Sequence, residues 1–174
     1  MKQHIHYCAL LLVAFMLAGC GLTQSVSEGT KSVAKSIFYK QVKTLHLDFA
    51  ARAELNPDDD GTALSTDVWV YQLKDRKAFD KADYPALLND ASNVLKADLL
   101  LEKDVWIRPG SNVSLDIPLD ENAQFVAIVA QFRNPDIQKN SWRLVLTRDD
   151  LDPDKARVIE LEKNTLALKA AEDL

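Results

Sequence analysis

Apolar and polar residues alternate through Leu45, Leu47 and Phe49, with His46 and Asp48 between them. A period of two is that of a strand with one buried face, and the stretch KTLHLDFAARAEL carries the pattern on to Leu55. Thr66–Leu73 (TDVWVYQL) reads as a second strand with apolar groups on both faces, so both faces are expected to be covered. LNPDDDGT, between the two, is dense in turn formers. Over residues 74–100 the spacing changes: Phe79, Leu87, Leu88, Val94 and Leu95 fall at helical intervals. Pro85 suits a first helical turn and Ser92 a helix cap, which predicts a helical insertion between the second and third strands. Strands then resume in VWIRPG, which turns at Pro109 and Gly110 into NVSLDIPL. QFVAIVAQF is the most core-like segment, with Val126, Ile128, Ala130 and Phe132 on one face, and SWRLVLT, ARVIELE and NTLALKA follow it. Many short strands separated by turn signals predict a mainly β fold. One sheet alone would leave an apolar face wet, so two packed sheets, a β-sandwich, are expected. No internal repeat interrupts this reading.

The chain begins differently. An apolar run from Tyr7 to Gly19 follows the short cationic start MKQHIH and closes on small residues before Cys20. It falls short of the roughly 20 apolar residues a spanning helix needs, and its order is that of a secretory signal peptide. Leu17-Ala18-Gly19-Cys20 resembles the bacterial lipobox, which implies cleavage before Cys20 and lipidation there. Residues 1–19 are then a cleaved signal, and several acyl chains on Cys20 would make membrane attachment effectively permanent. Gly21 stands where aspartate would retain an enteric lipoprotein in the inner membrane, which implies an outer-membrane address facing the periplasm. Residues 20–30 (CGLTQSVSEGT) are small, polar and aperiodic, a tether that reaches at most ~35 Å over ten residues. A short amphipathic helix is expected next, with Val33, Ala34, Ile37 and Phe38 on one face and Lys31 and Lys35 opposite. Residues 31–174 form one domain in this reading, large enough to bury a core without covalent staples. Cys8 leaves with the signal, so no disulfide is available, and thermal unfolding is expected to ignore reducing agent.

Charge sharpens the picture. Loss of Lys2 takes the formal net charge from −5 to −6. Lys31, Lys35, Lys40 and Lys43 against Glu28 leave the segment up to His46 basic, whereas the body from Leu47 onward carries 16 basic and 25 acidic residues. The basic segment reads as a solvated helix face, with anionic headgroups as a second candidate. An acidic body speaks against a nucleic-acid partner.

Candidate chemistry is sparse. The only histidine after Cys20 is His46, on the polar face of a strand, so neither a histidine-rich metal site nor a serine–histidine pair is expected, and no G-x-S-x-G elbow occurs. Gly21, Gly29, Gly61 and Gly110 form no phosphate-binding loop. Asp58-Asp59-Asp60-Gly61 superficially resembles a calcium loop but lacks the spaced ligands and closing glutamate. Asp149, Asp150, Asp152 and Asp154 form a second acidic turn. These features predict a binding module without cofactor, metal or small-molecule substrate, rather than an enzyme.

The lipobox, LNPDDDG, VWVYQLKDRKAFDKADYPAL, WIRPG, VAIVAQFRNP and SWRLVL occur in an order that resembles the TssJ (SciN) family of type VI secretion lipoproteins. The resemblance covers nearly the whole chain after Cys20. Trp69 departs from it, at a position where a polar or basic residue is more usual. The resemblance implies a transthyretin-like two-sheet sandwich with an added helical region. It also implies a structural role: anchoring the secretion apparatus to the outer membrane by binding the periplasmic C-terminal region of the inner-membrane protein TssM, and through it, indirectly, TssL. The first inter-strand loop contributes to that contact in the family. Its counterpart here is Asn56, Pro57, Asp58, Asp59, Asp60, Gly61, Thr62, Ala63 and Leu64, which on composition alone reads as an ordinary solvated turn. Two other classes stay open, a periplasmic inhibitor or carrier on a similar sandwich and a hydrolase using paired carboxylates.

Overall fold

The computed structural model describes residues 41–170. The signal segment, Cys20, the tether and the helix expected from Lys31 lie outside the described residues. Eight strands are present: β1 Thr44–Ala51, β2 Thr66–Leu73, β3 Leu99–Ile107, β4 Asn112–Pro118, β5 Phe125–Ala130, β6 Arg143–Thr147, β7 Arg157–Glu162 and β8 Thr165–Leu168. Helices α1 (Lys77–Lys81) and α2 (Tyr84–Leu95) fall between β2 and β3. The strands form two four-stranded sheets, in the orders β4-β1-β7-β8 and β3-β2-β5-β6. Among the described residues only β1 and β7 pair in parallel; the other pairs are antiparallel. The architecture is the expected two-sheet sandwich with its helical insertion.

The period-two residues account for the space between the sheets. Leu45, Leu47 and Phe49 of β1 are fully buried, as are Val68 and Val70 of β2 and Ile128 of β5. Val68, Val70 and Gln72 stand opposite Ala130, Ile128 and Val126, and directly opposed residues share a sheet face. Gln72 brings a polar group into this core and satisfies it across the sheets. Its Nε2 donates to the Pro118 carbonyl at 2.8 Å, and its Oε1 accepts from the Asp120 amide at 2.8 Å. A buried amide is tolerated only when hydrogen-bonded in this way.

The outer face of the β2 sheet is also covered over β2 and β5, as the apolar groups on both sides of TDVWVYQL require, while over β3 it stays open. Trp69, Tyr71 and Leu73 stand opposite Val129, Ala127 and Phe125, and α1 and α2 cover them with Phe79, Leu87 and Leu95. Burying each such side chain contributes about 1.5–3 kcal/mol. Asp83 caps α2 by accepting from the Ala86 amide at 2.9 Å, with Pro85 in the first turn. The helix breaks at Asp90 (φ −155°, ψ 48°). Ser92 therefore does not cap a second helix: its hydroxyl donates instead to Glu102 on β3 at 2.8 Å. Arg143 on β6 holds α1 down, donating to the carbonyls of Phe79 (3.0 Å) and Ala82 (2.9 Å).

Two boundaries differ from the sequence reading. β1 ends at Ala51, not Leu55. The Arg52 amide makes a last bond to the Leu161 carbonyl and the chain then turns, although Leu55 is fully buried. β3 begins at Leu99, inside the segment read as helical, because Leu99 and Leu101 pair with Leu73 and Gln72. A short apolar run cannot by periodicity alone be told from a helix end.

One end of the sandwich is organised by Arg148, the first residue of a 3-10 turn (Arg148–Asp150). Its guanidinium donates to the carbonyls of Ala123 (2.6 Å), Glu121 (2.9 Å) and Val42 (3.3 Å), joining the β4–β5 connection to the entrance of β1.

Candidate partner-binding loop

The connection between β1 and β2 lies at the opposite end, and it has two parts with different physics. Its root is buried. Leu55 is fully enclosed, and Asn56 is 6% exposed with a left-handed backbone, φ 45°. Asparagine is among the few side chains that adopt this conformation readily. Its amide and both side-chain polar atoms are used. The Asn56 amide donates to the Lys163 carbonyl in the β7–β8 turn (2.7 Å), Nδ2 donates to the Ser65 carbonyl (3.1 Å), and Oδ1 accepts from the Arg133 amide beyond β5 (2.7 Å). One residue thus pins three connections together.

The tip, Pro57–Leu64, closes on itself. The Asp58 amide donates to the Thr62 carbonyl (2.9 Å), and Asp58 Oδ1 accepts from the amides of Asp60 (3.0 Å) and Thr62 (2.8 Å). Aspartate fills this Asx-turn role because its short carboxylate reaches amides two to four residues on. Gly61 supplies the positive φ of 83°. Asp59 points outward to pair with Arg133 at 2.7 Å. Asp60, Gly61, Thr62 and Leu64 are exposed, Pro57, Asp58 and Ala63 half-buried. Eight of the nine residues expected to form the contact therefore make one shaped projection, and the ninth, Asn56, is its foundation. Asp58 thus turns its carboxylate inward to the loop's own amides while Asp59 turns outward to Arg133.

The other candidates resolve into structural roles. His46 Nδ1 and Asp116 Oδ1 lie 2.5 Å apart across β1 and β4, a polar pair on the outer face of that sheet. Asp150 caps its 3-10 turn through the Thr147 amide (2.7 Å) and hydroxyl (2.6 Å), and these bonds hold its carboxyl below the usual range. Asp152 accepts from the amides of Asp154 (2.8 Å) and Lys155 (2.9 Å), with the same effect on its acidity. Carboxylates stabilised by amides in this way build turns rather than a general acid. Sequence reasoning missed Asn56 as a pin. The one available signal was the asparagine itself, a residue that tolerates left-handed backbone; the proline after it argues for extended backbone instead.

The chain is similar to known proteins in both sequence and fold. A family model described as "Type VI secretion lipoprotein, VasD, EvfM, TssJ, VC_A0113" matches residues 43–164. Among solved structures, a chain in one named "Type VI membrane complex" is 48% identical, with a TM-score of 0.72, covering 75% of this chain and 100% of that one. A chain in a structure named "T6SS protein TssM C-terminal domain (869-1107) from EAEC" is 47% identical, with a TM-score of 0.70 and the same coverage. The lipoprotein TssJ1 from Pseudomonas aeruginosa is 27% identical, with a TM-score of 0.65, over 76% of this chain and 98% of that one. Among curated proteins no relative matches.

Proposed function

Because the chain belongs to the type VI secretion lipoprotein family of TssJ, we propose that it is a structural subunit of a type VI membrane complex, tethered by lipid at Cys20 and bound through the tip Pro57–Leu64 to the periplasmic C-terminal region of a TssM-like inner-membrane protein. TssL would be reached indirectly, through that partner.

The observation that carries this reading is the 47% match to a chain in the structure named for the TssM C-terminal domain. Three-quarters of this chain covers the whole of the matched one, which is far shorter than a fragment spanning 869–1107. That length supports a matched chain that accompanies the TssM fragment rather than the fragment itself. The lipobox supports a signal at 1–19, the small, polar composition of 20–30 supports a tether, the change of pattern from Lys31 supports one domain over 31–174, and Gly21 supports the outer-membrane address. The tip supports the contact in physical terms. It is exposed, preshaped by its own hydrogen bonds and seated on a buried root, so little ordering cost remains on binding.

The test replaces Pro57–Thr62 by a short Gly-Ser link and measures affinity for the partner's periplasmic domain together with melting temperature. Affinity should fall sharply, since a few positioned contacts carry most of the binding, while melting changes little, because loop closure depends weakly on length. Unchanged affinity would move the interface elsewhere, first to the helical insertion around Phe79–Leu99. Separately, Cys20→Ser should leave the domain folded, release it from the outer membrane and stop secretion. Normal secretion by a soluble variant would remove the anchoring role.

A further inference from the structure

The outer face of β2 and β3 carries a second surface, which begins at Asp67, three residues beyond the loop's Leu64, and runs along the strands from there. In the β2–β3 register Asp67 stands opposite Trp106, Trp69 opposite Asp104, and Tyr71 opposite Glu102. Directly opposed side chains share a face at about 5 Å between Cβ atoms, so aromatic rings and carboxylates alternate as on a chequerboard. Part of this face is covered. Trp69 and Tyr71 stack with centroids 6.2 Å apart at 12°, and together with Leu88, Ser92 and Glu102 they line a cleft of about 180 Å³ beneath α2. Beyond the cleft the face is open, and Trp106 is 60% exposed.

Two observations set this surface apart from a solvated acidic face. First, Asp67 Oδ1 and Trp69 Nε1 are shut off from solvent and are poorly paired: the contacts open to the Asp67 carboxyl, from the Trp69 indole and the Val68 amide, fall short of good hydrogen-bond geometry. Buried polar groups so weakly paired are uncommon and costly. Second, no ion pair among the described residues involves Asp67, Glu102 or Asp104. Lys103, the nearest cation in sequence, stands opposite Val70 and so belongs to the other side of the sheet. Burial, and then the like charge of Asp104, raise the Asp67 carboxyl above its ordinary range, a strain that an added cation would relieve.

We propose that this face receives one arginine or lysine side chain of a partner protein, its aliphatic stem along Trp106 and its cationic head between Asp67 and Asp104 beside Trp69. An indole face attracts a cation, a guanidinium fork can span two carboxylates, and a long stem covers apolar surface while its head stays polar. The excess of acidic residues in the body, 25 against 16 basic from Leu47 onward, steers such a partner in. This surface can act whether or not the β1–β2 loop is itself a contact.

The experiment titrates the mature chain in detergent with a fluorescently labelled tetra-arginine peptide at low salt, read by anisotropy, with tetra-glutamate as the opposite probe. Saturable binding of tetra-arginine alone is expected, weakened about tenfold by Trp106→Ala or by Asp104→Asn and unaffected by Asp149→Asn at a distant acidic turn. Both substituted side chains are exposed, so the fold should survive, and an unchanged melting temperature checks that it does. Equal binding by the two variants and the parent, binding of tetra-glutamate, or self-association abolished by Trp106→Ala would each overturn the proposal. The Pro57–Thr62 replacement should bind the peptide normally, which separates failure here from failure of the loop reading.

Discussion

Asn56 and Asp58 are two residues apart in one loop, and both use side-chain oxygens to accept from backbone amides, yet they do different work. Asp58 bonds only within its own turn, to Asp60 and Thr62. Asn56 bonds outward, to the β7–β8 turn and to the chain leaving β5. The first gives a piece of surface its shape and the second gives the domain its cohesion at that end. A contact surface can therefore vary in its outer residues while the residue beneath it is held by the fold.

Substitutions at four positions press on that contrast, from the largest effect to the smallest. Asn56→Ala should destabilise the domain by about 2–4 kcal/mol in denaturant unfolding, because it strands the Arg133 amide and the Ser65 carbonyl and forces alanine into positive φ. A loss too small to resolve would mean the root is as dispensable as the tip. Asp58→Ala should cost less stability but loosen the tip and reduce partner affinity, whereas Asp58→Asn keeps an acceptor oxygen and should keep most of the binding. Equal affinity for the two variants would show that tip shape is irrelevant. Gly61→Ala meets no atom within 4 Å, so its whole effect, about 1 kcal/mol, should come from the strained backbone. Asp59→Asn breaks an exposed pair with Arg133. It should leave melting unchanged and show only as a slower, less salt-sensitive association rate in stopped-flow mixing with the partner domain.

The same contrast explains what could be read in advance. Strands came through from their faces: Leu45, Leu47 and Phe49 announce β1, where one face is buried and the other is not, and the doubly apolar TDVWVYQL announces β2 and a cover on both its faces. Phe79, Leu87 and Leu95 marked the insertion. What did not come through depends on distant partners. The parallel pairing of β1 with β7 leaves no local trace, the apolar run Leu99–Leu101 fits helix or strand equally, and the break at Asp90 has no proline or glycine to signal it. In the site, the exposed tip was legible from its turn formers. The role of Asn56 was not, because its partners Arg133 and Lys163 lie far along the chain, where no local pattern around Asn56 can point to them.

The place of β1 has a mechanical consequence. It is an inner strand, held by β4 on one side and β7 on the other, with Val42 at its entrance and the β1–β2 connection at its exit. A pull between whatever precedes Val42 and whatever grips the tip therefore runs lengthwise through this one strand. Because β1 is already extended, its covalent backbone carries that load and the hydrogen-bond ladders to β4 and β7 bear little of it. Single-molecule stretching from residue 41 to residue 60 should therefore go taut after little extension with the sandwich intact, whereas a pull between residue 41 and the edge strand β8 should open that strand's one ladder at low force.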